Sequence, residues 1–197
     1  MANDLTNTIN LFLNDSESII DFCCGNGGVS DGYLCSTITG VDAYRPYLDE
    51  YIKRVPNSSV LELDLNNYAA ICEKIPNKSF DIVICADGVE HLKQHESIRL
   101  IEKFEQIARK KIIIFTPLNI NNPGKIVLNS PRNAWGIDGG DDWQTHRCGY
   151  STDFFILRGY QAYSRGVFPN VYDGTPYGEI LYVKNLVGVK HKVAPRA

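Results

Sequence analysis

Four aspartates, each closing a run of apolar residues, are the groups in this 197-residue chain best suited to hold a ligand. Asp21 follows Ile19-Ile20 and precedes Phe22 and the small-residue turn Cys23-Cys24-Gly25-Asn26-Gly27-Gly28. Asp42 closes Ile38-Thr39-Gly40-Val41 about 20 residues later, the interval of a nucleotide-binding βαβ unit whose second acid accepts hydrogen bonds from ribose hydroxyls. Asp64 follows Val60-Leu61-Glu62-Leu63, and Asp87 follows Asp81-Ile82-Val83-Ile84-Cys85-Ala86. Glycines let the backbone approach a ligand closely, and a helix starting behind them offers unpaired amides. The turn does not suit a dinucleotide. A pyrophosphate turn reads G-x-G-x-x-G, whereas this one reads C-x-G-x-G-G with a carboxylate in front of it. That carboxylate repels an anion and attracts a ligand carrying ammonium and sulfonium charges, as S-adenosylmethionine does.

The elements that position these acids alternate. Strands are expected at 17–22, up to Asp42, at 59–63, 80–85 and 111–115. Helices are expected at 3–14, 27–35, from Arg45 or Pro46 to Arg54, at 66–74 and at 94–109. Pro46 suits a first helical turn. In the 94–109 helix, Ile98, Ile101, Phe104, Ile107 and Ala108 share a face. Lys111 to Phe115 is almost wholly apolar, as a strand buried on both faces should be. Such alternation predicts a parallel sheet covered by helices. After Pro117 the rhythm breaks, and 118–149 is rich in Asn, Gly, Pro and Asp. So long an irregular run is usually functional or mobile. With Trp135, Trp143, Asp138, Asp141 and Asp142 it reads as a substrate-side lid. A short helix at 152–157, capped by Ser151, and strands near 161–168 and 179–186 complete the pattern.

The series DFCCGNGG, GVDAY, LDLNN, FDIVICADGVEHL and KIIIFTP resembles the class I S-adenosylmethionine-dependent methyltransferases, in particular the small-molecule enzymes of the methyltransferase 11/12 type. The resemblance covers Ser18 to Pro117 well and the last third loosely. It implies an α/β, single Rossmann-like doubly wound domain over residues 1–189. Its sheet would be a mostly parallel one of seven strands with an antiparallel C-terminal edge hairpin. The cofactor S-adenosyl-L-methionine would be held by Asp21, Cys23, Gly25, Gly27, Asp42, Ala43, Asp64, Leu65 and Asp87. In this scheme Asp42 takes the ribose hydroxyls, Asp64 the adenine amino group and Leu65 the ring. Asp21 faces the methionyl ammonium, and Asp87 lies nearest the reacting end. Cys23 departs from the family, which has glycine there, and a left-handed backbone would disfavour it. His146, in Trp143-Gln144-Thr145-His146-Arg147-Cys148-Gly149-Tyr150, resembles the H-x-x-G-(Y/W)-(S/T) element of many small-molecule members. His146 and, less so, His91 are the candidate bases. Glu90-His91 reads as a helix start and no metal is expected; His95 and His191 read as solvated.

Composition fits this. The chain carries 20 Lys and Arg against 23 Asp and Glu, a net charge of −3 that argues against a nucleic-acid footprint. No apolar run suits a membrane span, and the N-terminus lacks signal-peptide character. None of the six cysteines forms C-x-x-C, so reduced thiols and a cytoplasmic setting are expected. Residues 190–197 read as a flexible basic tail. The function expected is methyl transfer to an oxygen or nitrogen of a small-molecule acceptor; the alternative is an inactive cofactor-binding regulatory or scaffold protein of the same fold.

Overall fold

A computed structural model describes residues 2–15, 17–128, 141–171 and 173–186. Its centre is one seven-stranded sheet: β1 (Ser18–Phe22), β2 (Thr37–Asp42), β3 (Ser58–Glu62), β4 (Phe80–Ala86), β5 (Ala108–Asn119), β6 (Gln161–Pro169) and β7 (Pro176–Asn185). The order is β3-β2-β1-β4-β5-β7-β6. β1 to β5 pair in parallel, β7 runs antiparallel to β5, and β6 pairs antiparallel to β7. The expected mostly parallel sheet with an antiparallel C-terminal hairpin is therefore present. Strand order reverses between β1 and β4, and an open α/β sheet offers its ligand crevice at the carboxyl ends there.

Side chains alternate across each strand, so the isoleucine-rich runs feed two cores. On one face Ile20, Phe22, Val83, Cys85, Ile112 and Ile114 pack with residues of α3 (Tyr68–Lys74), α4 (Gln94–Ile107) and α6 (Thr152–Ile156). On the other, Ile19, Ile38, Ile82, Ile84 and Ile113 pack against α1 (Ala2–Asn10) and α2 (Arg45–Arg54). Local signals start the helices. Pro46 lies in the first turn of α2, Asn67 caps α3 through Ala70 N at 3.1 Å, and Ser151 caps α6.

Three expectations are corrected. No helix forms at 27–35, which is a series of turns. Gly27 and Gly32 take φ of +81° and +95°, outside helical space, and side chains claim the local backbone. Thr6 Oγ1 donates to Val29 O at 2.6 Å, and Asn10 binds both Gly32 O and Leu34 N. Second, α4 stops at Ile107 and β5 runs from Ala108 to Asn119, well beyond 111–115. The pairing of β5 with β4 ends at Phe115, while β7 continues opposite Pro117, Leu118 and Asn119. A proline is tolerated in such an edge segment. Third, β7 begins at Pro176 rather than 179 for the same reason. Within the expected lid, α5 (Asp141–Gln144) is a short helix, and 129–140, with Trp135 and Asp138, lies outside the described residues, as does the 190–197 tail. Among the described residues no helix is long and apolar enough to cross a membrane.

Candidate active site

The carboxyl ends of β1, β2, β4 and β5 converge, and short hydrogen bonds lock them together. Cys24 N donates to Val41 O at 3.2 Å, Leu63 N to Asp42 O at 2.9 Å and Asp87 N to Phe115 O at 2.9 Å. Asp42 is the hub on the β2 side. Its two carboxylate oxygens accept Gly25 N at 3.0 Å and Tyr44 N at 2.9 Å. A carboxylate has about four acceptor positions, so these two bonds leave capacity for further donors. Desolvation raises the Asp42 pKa, and the backbone N–H donors of Tyr44 and Gly25 oppose that.

The turn itself is left-handed at alternate residues. Cys23 takes φ +54°, Gly25 +53° and Gly27 +81°. The disfavoured conformation at Cys23 is thus adopted, at a strain of roughly 1–2 kcal/mol. Its thiol is packed in return against Cys85 and Gly88. A Cβ on Gly88 would lie 2.6 Å from Cys85 Sγ and 2.7 Å from Cys23 Sγ, so only glycine fits there. Around Gly25 a Cβ would meet nothing within 4 Å, leaving this stretch of backbone open to a ligand.

Asp21 is turned inward. It is 3% exposed and accepts a hydrogen bond from the buried Ser30 hydroxyl. Burial pushes its pKa up to about 7, with Asp42 adding to the rise. Its contacts serve the 23–35 segment, and a direct grip on an ammonium is not what they support. Asp64 Oδ1 accepts Asn66 N and Asn66 Nδ2, both at 2.9 Å, closing a turn ahead of α3. Leu65 is partly buried against the α3–α4 core, and Ala43 lies at the half-buried step from β2 to Tyr44.

Asp87 sits at the β4 end with φ +49° and opens onto a cavity of about 200 Å³. Phe115, Pro117, Val127, Leu128 and Val171 supply its apolar wall, and His146, Asn170, Tyr177 and Glu179 its polar groups. Although Asp87 exposes surface to this space, the surrounding protein desolvates its carboxyl. Its pKa is raised well above the usual range, with the charges of Glu90 and Glu179 adding to that. Glu179 is held by Arg165 at 2.7 Å, and Arg165 also reaches Asp4 of α1 at 2.9 Å.

His91 and His146, far apart in sequence, meet with ring centroids 5.0 Å apart. The 145–148 segment is stitched to the 3-10 turn Val89–His91 that precedes α4: Arg147 N and Cys148 N donate to Glu90 O at 2.7 and 3.1 Å, and the Arg147 guanidinium to His91 O at 2.9 Å. His146 Nδ1 donates to Val127 O at 2.7 Å. Burial lowers the pKa of His91, and lowers that of His146 to about 4. Trp143, 41% exposed, reaches across to Tyr44 with ring centroids 6.5 Å apart. Sequence reasoning read Glu90 only as part of a helix start, whereas it is 2% exposed and accepts at Oε2 from Thr116 Oγ1 at 3.0 Å; Tyr177, Glu179 and Asn170 were missed. The adjacency of Glu90 to His91 was the one local signal; the other three are placed only by the hairpin.

Comparison with known proteins follows the same outline. Residues 19–111 match the family described as a methyltransferase domain. An uncharacterised methyltransferase of Schizosaccharomyces pombe is 26% identical over 104 residues, covering 48% of this chain and 37% of its own. The chain therefore spans little more than a third of that relative. Magnesium protoporphyrin IX methyltransferase from Synechocystis, crystallised with bound S-adenosylmethionine, superposes with a TM-score of 0.56 at 15% identity, over 93% of this chain and 77% of that one. The N-methyltransferase NodS from Bradyrhizobium japonicum gives 0.59 at 13% identity, over 93% and 94%. Residues 19–111, a little under half of the chain, thus match a methyltransferase domain, and the sheet order is the fold of S-adenosylmethionine-dependent methyltransferases of known structure.

Proposed function

We propose that this chain transfers a methyl group from S-adenosylmethionine to an oxygen or nitrogen of a small-molecule acceptor seated in the cavity beside Asp87. The observation that carries this reading is the cavity's position. It opens at the β4 and β5 ends, next to the strand ends that would hold the cofactor, and its 200 Å³ suit a small group rather than a polymer.

The residues present fit the cofactor. Asp42 has acceptor capacity for the ribose, the left-handed turn at Gly25 leaves room for close approach, and the carboxyls of Asp42 and Asp87 favour a cation. The bound cofactor supplies an electrophilic methyl on a sulfonium. The chain's own work is orientation, water exclusion and proton management. The Phe115, Val127 and Leu128 wall keeps the cavity partly dry. Tyr177, Asn170 and Glu179 offer hydrogen bonds that fix an acceptor. With Nδ1–H committed to Val127, a neutral His146 carries its lone pair on Nε2, where it can accept a proton.

The test is transfer of labelled methyl from S-adenosylmethionine to a panel of small alcohols, phenols, amines and carboxylic acids. Transfer to a member of the panel, diminished by Asp87→Asn and by Tyr177→Ala, is the expected result. Binding of S-adenosylhomocysteine with no transfer to any member would favour the inactive, cofactor-binding reading.

A further inference from the structure

We infer that Cys23 and Cys85 form a reversible oxidation site, closing into a disulfide that ties the 23–28 turn to the end of β4 and weakens cofactor binding. All six cysteines are free thiols. Phe22 pairs with Cys85 across β1 and β4, and Cys23 is the next residue along. Neighbouring strands lie about 4.8 Å apart, and a disulfide spans about 4.4–6.8 Å between Cα atoms, so the two residues stand at bridging range. Their side chains converge on one spot. A Cβ on Gly88 would lie 2.6 Å from Cys85 Sγ and 2.7 Å from Cys23 Sγ, so the two sulfurs share the space that this glycine leaves open. Cys24, next to Cys23, turns into the opposite core, where a Cβ on Gly40 would lie 2.8 Å from its Sγ.

Cys23 holds φ +54°, a left-handed conformation in which glycine would be unstrained. A strained residue that persists where a freer one would serve points to a use for its side chain. Cys85 is fully buried, whereas Cys23 is only half-buried. A small oxidant therefore reaches one sulfur while the other waits behind it, and a resolving thiol at that distance traps the first oxidation product before it goes further. The hydrogen bond with Cys85 and burial push the Cys23 pKa well above that of a free thiol, with the charges of Asp42 and Glu90 adding to the rise. Thiolate is scarce near neutrality as a result, so oxidation is slow there and quickens as pH rises.

With hydrogen peroxide as oxidant, the Cys23 thiolate attacks one peroxide oxygen. The O–O bond breaks, and the departing hydroxide leaves as water with the proton the thiol gave up. Cys85 sulfur then attacks the sulfur of the Cys23 sulfenic acid. The S–O bond breaks, and its hydroxyl leaves as a second water with the Cys85 proton. Two thiols lose two electrons in all, and the peroxide becomes two waters. The new bond, about 2.05 Å long, draws the sulfurs from contact to bonding distance. It pulls Cys23 toward Gly88 and so displaces the turn that leaves Gly25 open and sets Gly25 N on Asp42. The loss of cofactor affinity rests on the proposed methyl transfer, because it needs the cofactor at this turn; the bond itself does not.

Reduced protein is treated with hydrogen peroxide at about pH 8, alkylated and mapped by peptide mass. S-adenosylhomocysteine binding is measured by calorimetry before oxidation, after it, and after re-reduction with dithiothreitol. A Cys23–Cys85 link is expected, with affinity lowered about tenfold or more and restored by dithiothreitol. By reciprocity, saturating S-adenosylhomocysteine should favour the dithiol and raise the reduction potential of the pair by about 30 mV for a tenfold difference. Cys85→Ala should form no link and bind equally well before and after peroxide. If that variant fails to fold, Cys23→Ser carries the test: no link, and an affinity that peroxide does not move, whatever its starting value. Cys24→Ser should still form the link. Thiols that survive peroxide, a link through Cys24 or Cys148 instead, or a Cys23–Cys85 link that leaves affinity unchanged overturns the inference. The link formed in protein that takes no S-adenosylhomocysteine even when reduced supports the oxidation site while overturning the methyltransferase reading.

Discussion

Asp42 and Asp21 stand at adjacent strand ends, yet their surroundings give them different work. Asp42 has spare acceptor positions beside an open turn, so Asp42→Ala should weaken S-adenosylhomocysteine binding by on the order of 2–3 kcal/mol, the scale of a lost charge-assisted hydrogen-bond pair. Calorimetry on folded variant checks this, and unchanged affinity would put the ribose elsewhere. Asp21 is sealed beneath the turn, with a folded pKa of about 7 against an ordinary 3.8. A raised carboxyl pKa means the fold prefers the protonated form. That stabilisation is complete below about pH 4 and is lost as pH rises through about 7. Asp21→Asn keeps an acceptor for Ser30 and removes the titration. Relative to wild type, the variant should gain nothing near pH 4 and up to about 4 kcal/mol at pH 8, read from denaturant midpoints. A pH-independent difference would contradict the burial argument. Both acids were visible in the sequence as strand-end groups; the inward turn of Asp21 was not, because it depends on Ser30, whose position follows from the absence of a helix at 27–35.

At the scale of elements, the β1 turn and the β4 end are interlocked through Cys23, Cys85 and Gly88. Gly88→Ala forces a methyl into two sulfurs and should cost about 1–3 kcal/mol, as overpacked cores do. Adding Cys23→Gly removes one of the crowded sulfurs and relaxes a left-handed residue, so the double variant should melt above Gly88→Ala alone. Additive losses would mean the two sites do not touch. The strands were legible because apolar runs ending in an acid are the signature of a buried parallel strand, and Ile112, Ile113 and Ile114 are fully buried. The hairpin was legible as two late strands. The missing helix was not, since Gly27, Gly28 and Gly32 can start a helix or deny one, and here tertiary bonds from Thr6 and Asn10 decide. The meeting of His91 with His146 was illegible for another reason. It is created by backbone bonds between Glu90 and the 147–148 segment, and no periodicity encodes such pairing.

For the whole molecule, cofactor binding and fold stability are one equilibrium, because the turn, α2 and the β4 end are tied through Asp42, Asp87 and the strand-end hydrogen bonds. S-adenosylhomocysteine at about 100 times its dissociation constant should stabilise the fold by about 2.7 kcal/mol. No shift in melting temperature at millimolar ligand would count against the cofactor assignment. α1 shares in this, since Thr6, Asn10 and the Asp4–Arg165–Glu179 chain link it to both the turn and the cavity wall. The carboxyls gathered at the strand ends have a consequence for how the ligand is sensed in solution. Asp21 and Glu90 each titrate near pH 7 in the fold, and Asp87 higher than a normal aspartate. An arriving positive charge favours their ionised forms, so binding should expel protons into the buffer. S-adenosylmethionine carries the sulfonium charge and S-adenosylhomocysteine lacks it, while the rest of the two molecules is the same apart from the methyl. Titrated in buffers of differing ionisation enthalpy at pH 7, S-adenosylmethionine should therefore show the steeper dependence of apparent heat on buffer. The difference between the two slopes counts the protons displaced by one sulfonium.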